Sequence, residues 1–201
     1  MSEQLADGSC SPGPDRGWTV AISDATIAQT LSAYLGRFPD EAEALTEPLL
    51  LLGEGSGFAS RRSFPMHVTV GALLVCGSEV LLIDHLAYGI TLQPGGHLEP
   101  TDGTLLEAAL RELTEETGLD GRLIAPLSPV PVYVEYGQVP ARPEKDEPAH
   151  YHLDIGYAFS TERAEIGILQ ETEVTGAAWY PLESAVSVVG ERVARAFSVT
   201  A

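Results

Sequence analysis

The segment Gly95–Leu119 reads GGHLEPTDGTLLEAALRELTEETGL, and its spacing indicates more about the fold than any other stretch of the chain. If Thr104–Thr117 forms a helix, its leucines and alanines cover one arc at about 100° per residue, which is the expected core face. Glu112, Glu115 and Glu116 fall on an arc immediately beside these apolar residues. The segment therefore predicts an amphipathic helix with three acidic side chains at the border of the protein core.

Three carboxylates at positions i, i+3 and i+4 of a helix repel one another. Each like-charged pair costs a few tenths of a kcal/mol on an exposed helix, and the cost rises beside a packed face. A divalent cation removes this cost, and hard cations such as Mg²⁺ or Mn²⁺ prefer oxygen ligands. We therefore predict Glu112, Glu115 and Glu116 as metal ligands. The alternative is a charged surface helix whose acids pair with basic residues one turn away.

Two glycines precede this helix. Because they lack a Cβ atom, Gly95 and Gly96 let the backbone approach a metal or a phosphate closely and leave carbonyls and amides uncovered. We predict Gly96 as a further metal ligand and Gly95 as a substrate contact. Arg111 lies one turn from both Glu107 and Glu115, so it is expected to reach either carboxylate and to orient a ligand.

The same segment resembles the Nudix box, which has a glycine, a glutamate and then Arg-Glu-U-x-Glu-Glu-x-Gly-U, where U is aliphatic. Residues Arg111–Leu119 match every fixed position of the second half, and Gly96 matches the leading glycine. In the first half Asp102 replaces the glutamate, and one residue is inserted between it and Arg111. This departure puts the role of Asp102 in doubt and predicts that its replacement costs little. The variant PGGHLEP at Pro94–Pro100 looks like that of a bacterial subgroup.

The resemblance spans about residues 66–185 and implies an α+β fold, namely an α/β/α sandwich with a mixed central sheet. It also implies a metal-dependent hydrolase in which water attacks a phosphorus of a diphosphate linkage in a small phosphorylated metabolite. Such a metabolite would be a nucleoside diphosphate linked to another moiety, or a similar compound. The resemblance implies catalytic roles for Glu115 and Arg111. Family members often supply a metal ligand or general base from a loop in the region of Glu171 and Glu173, and we assign this role to Glu173.

Two other functions are compatible with the same fold. A catalytically silent sensor of a nucleotide-like ligand would be expected to have eroded acids and an attached DNA-binding module, whereas this chain keeps its acid cluster. A diphosphate isomerase would use a cysteine in the pocket, whereas Cys76 ends an apolar strand and Cys10 lies in the N-terminal region. Hydrolysis is therefore the preferred interpretation.

The rest of the sequence predicts helices around a mostly antiparallel or mixed sheet. Residues 1–18 are rich in Gly, Ser, Pro and Asp and predict a flexible tail. Residues 19–65 predict a helical N-terminal extension and linker, with helices from Asp24 to Gly36 and from Asp40 to Leu52, and residues 66–201 predict the Nudix domain. Strands are expected at 66–75, 79–86, 122–126, 131–137, 150–159 and 176–182, and a last helix at 190–197.

Alternation in the strand HYHLDIGYAF places His150, His152 and Asp154 on one face. We predict that this face looks into the cleft and that His152 and Asp154 bind substrate; the alternative is a solvated face of the sheet. His97 follows the double glycine and is predicted to border the same site. Zinc is disfavoured because no third or fourth soft ligand is near in the sequence. His67, in the first strand, is expected to be structural.

The net charge of −18, from 11 Lys+Arg and 29 Asp+Glu, restricts the partners. Nucleic acids and anionic membranes attract basic surfaces, so neither is expected as a partner. An acidic protein that acts on a small-molecule diphosphate needs cations as intermediaries, which agrees with a requirement for Mg²⁺. Two cysteines and no apolar signal segment predict a cytoplasmic protein. The amphipathic N-terminal helices offer a surface for a possible homodimer.

Overall fold

The computed structural model describes residues 22–86, 89–143, 146–162 and 165–198. These residues form the predicted α+β fold, with helices packed on both faces of a mixed sheet. Within the described ranges the sheet has eight strands: β1 (Met66–Cys76), β2 (Glu79–His85), β3 (Ile90–Leu92), β4 (Gly95–His97), β5 (Ile124–Pro126), β6 (Tyr133–Val139), β7 (His150–Thr161) and β8 (Val174–Pro181). The helices there are α1 (Asp24–Arg37), α2 (Thr46–Glu54), α3 (Leu105–Thr117), α4 (Leu182–Val189) and α5 (Ala194–Ser198).

The central strand β1 contacts two different layers of helices through alternate residues. It pairs with β7 in parallel and with β2 and β4 in antiparallel orientation. Because side chains alternate between the two faces of a strand, Val68 and Val70 pack with α1, α2 and α3, whereas Leu73 and Val75 face α4 and α5. Burial on both faces explains why β1 has a nearly continuous apolar sequence.

The second predicted helix, at 40–52, is interrupted in the structure. A 3₁₀ turn occupies Pro39–Glu41, and α2 begins only at Thr46. The interruption lets Leu45 enter the core, where it is almost completely buried. The helix then ends at Gly55, whose φ of 72° is left-handed. The continuous helix was a wrong prediction because these tertiary contacts outweigh local helix propensity.

Helix α1 is tied to α5, at the other end of the described residues. Arg195 in α5 donates a hydrogen bond to the hydroxyl of Tyr34 in α1 at 2.7 Å and forms an ion pair with Glu41. Its guanidinium also lies 4.5 Å from the ring centre of Phe38, within the range of a cation–π interaction. These contacts fix the N-terminal helices against the C-terminal part of the protein.

The predicted division of the chain into a tail (1–18), an extension (19–65) and a Nudix domain (66–201) stays a prediction. The tail lies outside the described residues. The helices α1 and α2 pack into the same core as α3 and β1.

The end of the chain contains one more helix than expected. The predicted helix at 190–197 is preceded by α4, which stops at Gly190 with a φ of 91°, and a 3₁₀ turn at Glu191–Val193 leads into α5. The sequence failed to predict α4 because its valines have modest helix propensity. None of the helices in the described ranges has the length and the apolar character that crossing a bilayer requires.

Replacing Asp24 by alanine is expected to destabilise the fold by about 2 kcal/mol, because two amides, one of them buried, would lose their acceptor. The carboxylate of Asp24 accepts hydrogen bonds from the amides of Gly57 at 2.7 Å and Phe58 at 2.8 Å. Urea unfolding measures the loss. Asp40→Ala, at an exposed position, is the control. Equal stabilities of the two variants would contradict the prediction.

Candidate functional site

A cleft of about 1240 Å³ lies over the ends of β1, β4 and β7 and beside α3. This volume is sufficient for a small-molecule ligand. Nine of the ten predicted site residues line the cleft: Gly95, Gly96, His97, Arg111, Glu112, Glu115, His152, Asp154 and Glu173. The tenth, Glu116, is buried next to it, in hydrogen-bond contact with Gly95.

The three glutamates of the acid cluster on α3, Glu112, Glu115 and Glu116, differ in exposure. Glu112 and Glu116 have 8% and 1% of their surface exposed, whereas Glu115 is exposed. The amide of Gly95 donates a hydrogen bond to Glu116 Oε2 at 2.8 Å. Glu116 Oε1 is buried and has no hydrogen-bond partner among the described residues. A buried carboxylate oxygen without a partner is costly, and a bound cation would satisfy it.

Burial raises the pKa of the two inner carboxyls. Desolvation is the main cause that raises the pKa of Glu112 to about 7 and that of Glu116 to about 8, and the charges of Glu115 and Glu173 add to both shifts. At Glu112 the neighbouring Arg111 opposes the rise. A divalent cation would favour the ionised forms. The residues present therefore fit an oxygen-liganded divalent cation.

We expect Gly95→Ala to damage folding more than Gly96→Ala does. A Cβ atom at position 95 would lie 2.3 Å from the backbone oxygen of Val70 in β1, which cannot move without distorting the sheet. This overpacking should cost about 2–3 kcal/mol of stability. A Cβ atom at position 96 would lie 2.6 Å from the carboxyl group of Glu112, the end of a flexible side chain. That variant should fold, with Glu112 displaced and Mg²⁺ binding weakened.

Unfolding free energies and Mg²⁺ titrations of both variants test this ranking. Gly137→Ala in β6 is the control, because a Cβ atom there meets no other atom within 4 Å. If Gly95→Ala were as stable as the control, β4 could not approach β1 as closely as the structure shows.

All five N–H donors of the Arg111 side chain are in use. Nε and Nη2 donate to the two carboxylate oxygens of Asp102, each at 3.0 Å. Nη1 donates to Glu112 and to Glu115, each at 3.0 Å, and Nη2 also donates to the carbonyl of His97 at 3.0 Å. Arg111 thereby links Glu112 and Glu115 to β4, the strand that contains Gly95 and Gly96.

Asp102 belongs to this network, although the sequence left its role in doubt. Its side chain is buried, with 6% exposed, and it also accepts a hydrogen bond from the amide of Glu99 at 2.7 Å. Burial opposes ionisation, yet the hydrogen bonds from Arg111 and Glu99 hold the pKa of Asp102 below its usual value. Every N–H donor of Arg111 is bonded to an acceptor other than Glu107. The prediction that Arg111 also contacts Glu107 is therefore wrong.

The polar face of β7 forms part of the floor of the cleft. Asp154 accepts hydrogen bonds from Thr69 Oγ1 at 3.0 Å and from the hydroxyl of Tyr133 at 2.9 Å. Thr69 lies opposite Asp154 in the parallel pairing of β1 with β7, so both point to the same face. Each oxygen of Asp154 therefore bonds within the protein and stabilises the floor.

His97 and His152 lie beside His67, which the sequence suggested only as a structural residue. The ring centre of His67 is 5.0 Å from that of His97 and 4.6 Å from that of His152. Burial is the main cause that lowers the pKa of His67 and His97 to about 4 and that of His152 to about 3, so the three rings are uncharged at neutral pH. The alternation of His67 and Thr69 with apolar residues in β1 was the signal that could have revealed this contact.

The segment before β8 brings Glu173 to the cleft. The carbonyl of Glu173 accepts a hydrogen bond from the amide of Leu86 at 2.8 Å, which fixes the segment against the end of β2. The charge of Glu173 contributes to the raised pKa of both Glu112 and Glu116, so it lies within electrostatic reach of the acid cluster. Of the two glutamates considered from the sequence, Glu173 lines the cleft.

The chain matches a known protein family over most of its length. A family model for the NUDIX domain matches residues 65–199. The chain therefore belongs to the NUDIX domain family, as the resemblance of Arg111–Leu119 to the Nudix box indicated. Membership of a subgroup with the PGGHLEP variant stays a prediction.

Several known proteins resemble this chain in sequence or structure. Phosphatase NudJ of Escherichia coli strain K12 is 44% identical over 61 residues, which are 29% of this chain and 39% of NudJ. The chain thus matches about two fifths of that relative's length. A NUDIX-family hydrolase from Clostridium perfringens has a TM-score of 0.51 and 25% identity, covering 66% of this chain and 95% of that one. An Ap4A hydrolase of C. elegans shares the fold, with a TM-score of 0.50 and 18% identity over 66% of this chain and 96% of that one.

Proposed function

We propose that this chain is a hydrolase that depends on a divalent metal and uses water to cleave a diphosphate linkage in a small phosphorylated metabolite. The observation that carries the proposal is that two glutamates of α3, Glu112 and Glu116, are buried side by side. One carboxylate oxygen, Glu116 Oε1, has no hydrogen-bond partner among the described residues. The names of the similar proteins, a phosphatase and a NUDIX-family hydrolase, support the reaction class.

In this proposal the acid cluster of α3 is the metal site. Glu112, Glu115, Glu116 and the backbone carbonyl of Gly96 would hold Mg²⁺ or Mn²⁺. When bound, such a cation neutralises phosphate charge and lowers the pKa of water. Glu115, the exposed member of the cluster, lines the cleft, and so does Glu173, to which we assign the role of the general base that accepts a proton from the attacking water.

The walls and floor of the same cleft would contact the substrate. Gly95, His97, His152 and Asp154 lie along this surface, and we propose that the diphosphate moiety rests against it. Because burial keeps the imidazoles uncharged, attraction to the phosphates comes from the metal rather than from these rings. Arg111 contributes to catalysis by fixing the carboxylates.

The test is a panel of diphosphate-linked metabolites incubated with Mg²⁺ or Mn²⁺ in ¹⁸O-labelled water, with products identified by mass. We expect turnover of a member of the panel, with the label in a phosphate product and no turnover in excess chelator. Full turnover in excess chelator would contradict metal dependence. Tight binding without turnover across the panel would favour the silent sensor.

We also propose a cytoplasmic location and a homodimer. Cys76 is a free thiol, which suits a reducing compartment. On α2 the side chain of Leu50 is 70% exposed and is available to a second copy of the chain. Light scattering of the purified protein tests the assembly, and a monomeric mass at high concentration would contradict the dimer.

A further inference from the structure

Four of the five histidines in the chain form one group on the cleft side of the sheet. His67 lies on β1, His97 on β4, and His150 and His152 on β7. Strand pairing explains the grouping. His67 is opposite His152 in the pairing of β1 with β7, and Thr69, two positions further along β1, is opposite His97 in β4. Residues two apart on a strand share a face, so four imidazoles from three strands converge.

The ring nitrogens are close enough to share one ion. One nitrogen each from His67, His150 and His152 lies within 4.8 Å of the others. The Nε2 atom of His97 lies 3.1 Å from the Nε2 atom of His67. Two ligand nitrogens on one tetrahedral zinc are about 3.3 Å apart, given Zn–N bonds of about 2.0–2.1 Å. His67, His150 and His152 thus form the group of three ligands, and His97 lies next to it at a distance from His67 that is close to this value.

The hydrogen bonds of the rings prepare their nitrogens for a metal. His150 Nδ1 lies 2.7 Å from the carbonyl of Pro148, so Nδ1 carries the proton and donates it, leaving the lone pair on Nε2. That Nε2 atom is buried and has no hydrogen-bond partner among the described residues. His67 Nδ1 lies 3.4 Å from the carbonyl of Ser63, a weaker contact of the same kind. Metal-binding histidines typically donate their second nitrogen to a backbone carbonyl in this way.

We propose that His67, His97, His150 and His152 bind a zinc ion, separate from the carboxylate site on α3. Neutral imidazoles suit zinc, whereas magnesium prefers oxygen ligands, so the two sites select different metals. The sequence disfavoured zinc for lack of a third ligand nearby, and the fold supplies two more from other strands.

This zinc site has a structural role. It joins β4 to β1 and β7, and β4 also carries the double glycine that contacts the acid cluster. As zinc ligands, His97 and His152 would hold in place the part of the cleft surface against which the diphosphate is proposed to rest. The inference does not depend on the proposed hydrolysis, because it concerns binding of zinc alone.

The experiment is a titration of the full-length, metal-stripped protein with ZnCl₂ in the presence of excess MgCl₂, followed by calorimetry and elemental analysis. We expect one equivalent of zinc for the wild type and binding weaker by about a hundredfold or more in the double variant His150→Gln/His152→Gln. His85→Gln is the matched control, because His85 lines the same cleft outside the group. It should bind zinc as the wild type does, and so should Glu112→Gln.

Two results would overturn the proposal. One is wild-type protein that binds no zinc when magnesium is in excess. The other is zinc binding that survives in the double histidine variant but is lost in Glu112→Gln, which would place the zinc in the acid cluster. If the double variant fails to fold, imidazole ¹⁵N NMR of the wild type decides: zinc should shift four histidines and leave His85 unchanged, and unshifted signals would refute the site.

Discussion

Replacing Glu116 by glutamine should lower kcat/KM several hundredfold, equivalent to about 3–4 kcal/mol of transition-state stabilisation. The amide has nearly the shape of the carboxylate and can still accept the hydrogen bond from Gly95, so the fold should survive. The change removes a charge that would hold the divalent cation against the phosphates. Steady-state kinetics on one substrate at saturating Mg²⁺ measures the loss.

The same substitution should stabilise the metal-free protein at alkaline pH. Burial raises the pKa of Glu116 to about 8, whereas an exposed glutamate titrates near about 4.3. For a raised pKa, the stability contribution is fully present below the unfolded-state value and is lost as the pH rises through the folded-state value. Glutamine does not ionise. In chelator, the melting temperature of Glu116→Gln minus that of the wild type should therefore grow from about pH 5 to about pH 8.

Glu107→Gln is the matched control on the same helix. Glu107 is exposed and makes no contact with Arg111, whose donors are all used elsewhere. Its replacement should change stability by no more than a few tenths of a kcal/mol and leave kcat/KM unaltered. If Glu107→Gln proved as damaging to turnover as Glu116→Gln, the metal-binding face of α3 would be assigned wrongly.

Asp102→Asn should destabilise the protein by about 3 kcal/mol, because it removes the charge of the most buried of the carboxylates that pair with Arg111. The side chain of Asp102 is almost completely buried and binds Arg111 through both oxygens. An amide presents only one oxygen, so its NH₂ group would face an N–H of Arg111. Since Arg111 also holds Glu112 and Glu115, kcat should fall about a hundredfold with little change in KM.

A surface ion pair provides the comparison for Asp102. Asp120 pairs with Arg122 on the exterior, where solvent screens the interaction. Asp120→Asn should change neither the unfolding free energy nor kcat measurably. An Asp102→Asn variant as stable and as active as Asp120→Asn would restore the expectation from the sequence that replacing Asp102 costs little.

The sequence predicted those parts of the fold that local rules control. The helix α3 begins after Thr104, whose side chain accepts a hydrogen bond from the amide of Glu107 at 3.1 Å, and it ends at Gly118 with a left-handed φ of 65°. The turn between β1 and β2 uses Gly77 with a φ of 60°. These helix ends and this turn follow from a helix-capping residue, from a glycine or from the spacing of apolar residues, each of which is visible within a short stretch of sequence.

The sequence failed where the outcome depends on contacts between distant residues. The grouping of His67 with His150 depends on which strands become neighbours, and a single sequence does not state this. The role of Asp102 depends on a turn that compensates for the inserted residue by returning the carboxylate to Arg111. In the N-terminal helices, the burial of Leu45 competes with local propensity and prevails.

The contact between α1 and α5 has a consequence for biosynthesis. Tyr34 and Arg195 are 161 residues apart in the sequence. At about 5–20 residues per second, the ribosome makes α1 on the order of ten seconds before α5 exists. The bond that ties α1 to α5 can therefore form only after Arg195 has been synthesised, long after α1. Translation that stops before Arg195 emerges would leave Tyr34 and Glu41 without their cationic partner.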